Sequence, residues 1–111
     1  MISTHVLDTT IGRPAAGVRV ALARQEGGTW REVATATTDA NGRIAEFPEN
    51  KPAPSTGSYR LAFDVGGYFG GRQIDSFFTI VTVEFILRDS ASHHHIPLLV
   101  SPYGYSTYRG S

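Results

Sequence analysis

Four histidines, one arginine and a terminal serine are the residues whose type and spacing could do chemistry in this chain. His93, His94 and His95 are consecutive and run into Ile96-Pro97-Leu98-Leu99-Val100. A strand sends successive side chains to opposite faces. His93 and His95 therefore share one face with Pro97 and Leu99, and His94 shares the other with Ile96, Leu98 and Val100. His5 lies in a second strand-like stretch, with Leu7 on its face and Val6 opposite. Spacing leaves three readings open. The imidazoles can be solvated surface groups. His93 and His95, at i and i+2, can converge on a metal ion with His5 as a third ligand. Or a neutral imidazole can take a proton from water, a task suited to its ordinary pKa of about 6.5.

Arg43 follows the Asn41-Gly42 pair. It reads either as a solvated strand-end charge or as a planar donor fork that clamps an anion or a carbonyl. The ending Tyr108-Arg109-Gly110-Ser111 reads as a frayed tail, unless the rings of Tyr103, Tyr105 and Tyr108 bury and hold Ser111 and its α-carboxylate in place. A serine hydroxyl without a positioned base is a hydrogen-bonding group before it is a nucleophile.

Strands must position these groups. Val18 to Arg24 alternates Val18, Val20 and Leu22 against Arg19, Ala21 and Ala23, the period of a strand with one buried face. Gly27-Gly28 breaks it, and the β-branched run Trp30 to Thr38 completes a hairpin. Asn41-Gly42 tolerates the positive φ of a tight turn, and Arg43 to Phe47 leaves it as a strand. Pro48 to Ser58, with three prolines, reads as a loop. Tyr59 to Val65 and Phe77 to Arg88 are further strands, and His94 to Val100 is the last. Gly66 to Ile74 is the one place for a helix, and its four glycines predict a short one. The pattern predicts an all-β fold: a two-sheet antiparallel sandwich of about eight strands with one short helix.

The whole chain bounds what such a site can serve. Its 111 residues fit a single domain, 1–111, with one core. There is no cysteine, which removes disulfides, thiolate nucleophiles and thiolate-ligated zinc together. Ten basic and ten acidic residues give a formal charge of zero, with neither sign in a run, so neither a nucleic acid nor a membrane is the expected partner. No apolar stretch approaches ~20 residues, and Met1 to His5 lacks a basic region followed by an apolar one. The expectation is a soluble, cytoplasmic protein.

Three segments together resemble one family. Ser3-Thr4-His5-Val6-Leu7-Asp8 with Gly12-Arg13-Pro14-Ala15, then Thr38-Asp39-Ala40-Asn41-Gly42-Arg43, then His93 to Leu99 continuing through Ser101-Pro102-Tyr103-Gly104-Tyr105-Ser106-Thr107 to Tyr108-Arg109-Gly110-Ser111, are similar to the transthyretin-like 5-hydroxyisourate hydrolases. The terminal Tyr-Arg-Gly-Ser discriminates, because the carrier transthyretin shares Ser-Pro-Tyr-x-Tyr-Ser-Thr but not that ending or the histidines. The resemblance implies two four-stranded sheets with a short helix, assembled as a homotetramer, a dimer of dimers, with active sites in the channel between dimers. It implies catalytic roles for His5, Arg43, His95 and Ser111, with His93 and Tyr108 lining the site for a small-molecule substrate, and neither metal nor organic cofactor. Two features depart from the family pattern. Thr79-Ile80 replaces Pro-Glu at the entry to the long strand, and His94 stands where Tyr is usual. His94 is expected at the surface or an interface. The competing function is a carrier that binds a small aromatic ligand in the same channel.

Overall fold

The computed structural model describes residues 1–48 and 55–111. Most of the expected Pro48–Ser58 loop lies outside them, while Gly57 and Ser58 already belong to a strand. Among the described residues, the chain runs through β1 (Ile2–Asp8), β2 (Arg13–Pro14), β3 (Arg19–Glu26), β4 (Thr29–Thr37), β5 (Arg43–Ile44), β6 (Gly57–Asp64), α1 (Val65–Gly71), β7 (Ile80–Leu87), β8 (His94–Ser101) and β9 (Gly104–Thr107). One sheet has the order β2-β1-β8-β9, with β5 also on β1, and the other has the order β4-β3-β6-β7. The two-sheet sandwich with one short helix is what the periodicity predicts.

The alternating apolar residues close this sandwich. Val20, Leu22, Leu61, Phe63 and Val81 face Ile2, Val6, Ile96, Leu98 and Val100, and Phe47 and Phe69 fill the space between. Each such side chain removed from water contributes about 1.5–3 kcal/mol. The β3–β4 hairpin pairs antiparallel, with a register shift between Leu22 and Ala23.

Several elements differ from the sequence-based expectation. Not all neighbours are antiparallel: β1 and β8, from opposite ends of the chain, pair in parallel from Ile2↔His94 to Asp8↔Val100. β8 is not the last strand. A turn in which Ser101 Oγ donates to the Gly104 carbonyl at 3.2 Å folds β9 back onto it. The long strand begins at Ile80 rather than Phe77, because the preceding backbone is engaged elsewhere: Phe77 N–H donates to Pro102 O and Gly66 N–H to Thr79 O. The strand after the Asn-Gly turn is only Arg43–Ile44. The glycine-rich helix does form, starting one residue early. Asp64 caps it by accepting the Gly67 N–H at 2.9 Å, and the close carboxylate leaves no room for a Cβ at Gly67. Val65, Tyr68 and Phe69 bury its inner face, which offsets the roughly 1 kcal/mol that each interior glycine costs a helix.

Candidate active site

The outer face of the β1–β8 pair carries the polar groups. Along β1 the inner residues are Ile2, Thr4, Val6 and Asp8, which are buried, so Ser3, His5 and Leu7 point outward. Along β8, His94, Ile96, Leu98 and Val100 point inward, and His95, Pro97 and Leu99 outward. His94 is therefore in the core layer, 6% exposed, on the face it shares with Ile96, Leu98 and Val100, and not at the surface, one of the two places expected for it. A buried imidazole needs a partner, and its Nδ1 lies 3.2 Å from the Ser92 carbonyl oxygen.

Register brings the distant candidates together. Ser3 lies opposite His95 across the parallel pair, and His5 opposite Arg43 across the β1–β5 pair. Residues paired in this way share a face, with Cβ atoms about 5 Å apart. Three short segments from three parts of the sequence thus converge on one patch. Ser3 Oγ sits 2.7 Å from His93 Nε2 and 2.8 Å from His95 Nδ1, and the two rings lie 6.3 Å apart.

The turn before Arg43 fixes its place. Asp39 Oδ1 accepts the N–H groups of Asn41 at 2.8 Å and of Arg43 at 3.0 Å, an Asx turn. Those two N–H bonds, that of Arg43 first, hold the Asp39 carboxyl below the usual carboxylate range. Gly42 then crosses β1 closely. Its carbonyl accepts the Val6 N–H at 2.7 Å, its φ is +74°, and a Cβ there would overlap the Val6 carbonyl oxygen. Arg43 itself is exposed.

The C-terminal tail reaches the same patch, but not by burying its tyrosines. Tyr103, Tyr105 and Tyr108 are 73%, 45% and 59% exposed. The backbone anchors the tail instead, through β9 on β8 and a Gly110 N–H bond to the His95 carbonyl at 2.8 Å. A Cβ on Gly110 would stand 2.6 Å from His95 Cδ2, so the absence of a side chain lets the tail lie against the ring. Ser111 then joins Ser3, Arg43, His93 and His95 around a concavity of about 230 Å³. A wider one, about 590 Å³, holds His93, Tyr108 and Ser111. His5, half-buried, flanks the narrower concavity through its pairing with Arg43 and is not part of its wall.

The electrostatics of the patch favour a neutral base. Partial burial pushes the His95 pKa below its ordinary 6.5, and the positive charge of Arg43 and the neighbouring His93 and His5 push the same way. Neutral imidazole beside a fixed guanidinium can accept a proton from water while the guanidinium receives developing negative charge. Among the described residues, no group of three or more His, Cys, Asp or Glu side chains is arranged to hold a metal ion. Sequence reasoning missed three contributors: Ser3, Asp39 and Gly110. Asp39 was detectable as the first residue of an Asp-x-Asn-Gly turn, whereas Ser3 and Gly110 act only through cross-strand register.

A two-sheet β-sandwich carrying imidazoles, a guanidinium and the Gly110–Ser111 segment on one outer face is a transthyretin-type domain with a polar site. The description "HIUase/Transthyretin family" matches residues 2–110, and the chain belongs to that family. It is 46% identical over 112 residues to a 5-hydroxyisourate hydrolase from Salmonella dublin, covering 100% of this chain and 81% of the relative. The solved structure of Klebsiella pneumoniae 5-hydroxyisourate hydrolase superposes with a TM-score of 0.85 at 41% identity, covering 99% of this chain and 98% of that one. Sea bream transthyretin, solved with thyroxine, superposes at 0.89 with 28% identity, over 98% and 93% of the two chains. The backbone thus resembles carrier and hydrolase equally well, and the side chains of the site must distinguish them.

Proposed function

We propose that this protein is a 5-hydroxyisourate hydrolase, opening a ring amide of that oxidised purine to give 2-oxo-4-hydroxy-4-carboxy-5-ureidoimidazoline. The observation that carries the reading is a partly desolvated His95, its pKa pushed below the ordinary 6.5, held beside Arg43 and His5 on one outer face. Relatives at 46% and 41% identity bear that enzymatic name. A carrier of apolar rings gains little from such a patch, because stripping water from imidazole and guanidinium groups opposes binding.

In this reading His95 or His5 takes a proton from water as its oxygen attacks the ring carbonyl. The carbonyl oxygen becomes an oxyanion, which Arg43 neutralises. The C–N bond then breaks, and the departing ring nitrogen receives the proton from an imidazole. Ser111 orients the heterocycle from the tail, with His93 and Tyr108 lining the approach. The chain works as one domain in a homotetramer, a dimer of dimers. What supports the assembly is the likeness to transthyretins, the open edge strands β7 and β9, and the shallowness of the site on one chain.

The test is ultraviolet. Urate is oxidised to fresh 5-hydroxyisourate, and its decay is followed with and without the protein. General-base loss in His95→Ala should lower kcat/KM by roughly 10²–10⁴-fold. Arg43→Ala should lower it by about 10²–10³-fold, as for the removal of one preorganised oxyanion donor. Near wild-type decay rates in both folded variants would refute the assignment.

A further inference from the structure

Ser3 is buried at 3% exposure, yet its side chain neither packs into the core nor has a part in the hydrolytic steps above. Its hydroxyl lies within hydrogen-bond distance of two imidazole nitrogens at once, Nε2 of His93 at 2.7 Å and Nδ1 of His95 at 2.8 Å. A hydroxyl has one proton to donate and two lone pairs to accept with. Ser3 can therefore donate to at most one of the two rings, and at least one ring must donate its own N–H to Oγ. The two tautomers are coupled through one oxygen.

We propose that Ser3 is a positioning residue that joins His95 to His93, setting the His95 tautomer and passing the proton taken at His95 outward to His93. In the resting arrangement His95 Nδ1–H donates to Ser3 Oγ, and Ser3 O–H donates to His93 Nε2. His95 Nε2 then carries the lone pair, the form a general base needs. His93 carries its proton on Nδ1. When His95 Nε2 takes a proton from water, its Nδ1 proton moves to Ser3 Oγ as the hydroxyl proton moves to His93 Nε2. Ser3 ends as it began, His95 ends neutral with its proton on Nε2, and His93 ends as the imidazolium. Reversal of the same steps returns the proton for the departing ring nitrogen.

Geometry and solvation agree on the direction. His95 is half-buried and His93 is exposed, so a positive charge is better solvated on His93. The groups facing His95 are Ser3 and His5 from β1, Arg43 from β5, His93 from the segment before β8, and the Gly110–Ser111 tail. Arg43 is the fixed cation among them, and it opposes charge on His95. His93 thus gains a role distinct from lining the site.

The inference rests on the hydrolase reading for its kinetic consequence, but not for its structural one. Nitrogen-15 NMR of the imidazole rings in the resting wild-type protein should show His95 protonated at Nδ1 with a bare Nε2, and His93 protonated at Nδ1. A His95 ring protonated at Nε2 instead would overturn the proposal, whatever the protein catalyses. Ser3→Ala should scramble the His95 tautomer. It should lower kcat by roughly 10- to 100-fold, the range seen when the group orienting a functional imidazole is removed, with KM little changed. Ser3→Thr, which keeps a hydroxyl, should restore most of the rate. In Ser3→Ala, further change of His93 to Gln should raise KM, as loss of a lining residue does, but lower kcat little further, because the bridge is already cut. Wild-type kcat in folded Ser3→Ala, or equal impairment of Ser3→Ala and folded Ser3→Thr, would also overturn it. Absence of hydrolysis in the wild-type protein would instead sink the hydrolase reading and leave the NMR result to judge the bridge.

Discussion

At the scale of the residue, His95 shows how environment sets chemistry. Desolvation and then Arg43 favour its neutral form, so it should stay competent as a base in mildly acidic solution. The sign is direct: a base whose pKa is lowered loses its lone pair at a lower pH than free imidazole does. The acid limb of kcat/KM should therefore fall below pH 6.5, the ordinary value. Arg43→Gln removes one of the two leading causes and should move the surviving limb upward, while burial keeps it from returning all the way. A limb at or above 6.5 in the wild-type enzyme, or one that does not move in Arg43→Gln, would argue against His95 as the base. Tyr68 offers a second titration, one of stability. Burial first, then its bond of 2.8 Å to the buried Asp8 carboxylate, pushes its pKa up to about 12. Between its ordinary 10 and that value the unfolded chain gives up the proton and the folded chain keeps it. Stability should therefore fall as pH rises through this window. Denaturant midpoints measured across it should flatten in Tyr68→Phe, although that variant starts lower by about 1–3 kcal/mol because Asp8 loses a partner.

At the scale of the element, the turn and the tail place the chemistry, and both rely on missing side chains. Gly42→Ala would force a Cβ into the Val6 carbonyl at positive φ, a strain of roughly 1–3 kcal/mol. It should both lower the melting temperature and displace Arg43. Gly110→Ala differs, because the three atoms nearest its Cβ all belong to the His95 side chain. It should leave thermal stability near wild type while reducing kcat, and the comparison of the two variants by calorimetry and by turnover separates the roles. The contrast also explains what was legible in the sequence. Elements with one buried face and one wet one, such as β3 and β6, show their period directly. β9 has none to show: Tyr105, Ser106 and Thr107 are all exposed, and the strand is held by backbone pairing with β8, the Thr107 hydroxyl on the Pro97 carbonyl and the Tyr105 ring against Phe78. The parallel joining of β1 to β8 links segments about ninety residues apart and has no local signature. The face shared by His93 and His95 was readable from alternation. The place of Ser3 between them was not, because it depends on which strand lies alongside and in what register.

At the scale of the molecule, the described chain leaves two kinds of surface unfinished. β7 and β9 are sheet edges on the same side of the sandwich: Phe78 and Tyr105 touch edge to face at 5.2 Å. Ile80 and Ile86 on β7, with Tyr105 and Tyr108 beside them, are about half exposed. Open apolar edges invite pairing with a second copy, which would supply the first step of the proposed dimer of dimers. The second step concerns the polar face. On one chain the concavity between Arg43, His93, His95 and Ser111 lies against solvent, where the Coulomb terms that favour a neutral His95 are weakened by water. Covering this face with another pair of subunits would dry the cleft and strengthen the pull of Arg43 on an oxyanion. Assembly should therefore govern kcat more than folding does. Tyr105→Glu places charge on the β9 edge, at the end of β8 away from His95, because Tyr105 pairs with Val100. Light scattering should then report a smaller species. Turnover per chain should drop with the fraction of tetramer and recover as protein concentration drives reassembly. A monomer with full wild-type turnover would show instead that the patch on one chain suffices and that the channel adds nothing to the chemistry.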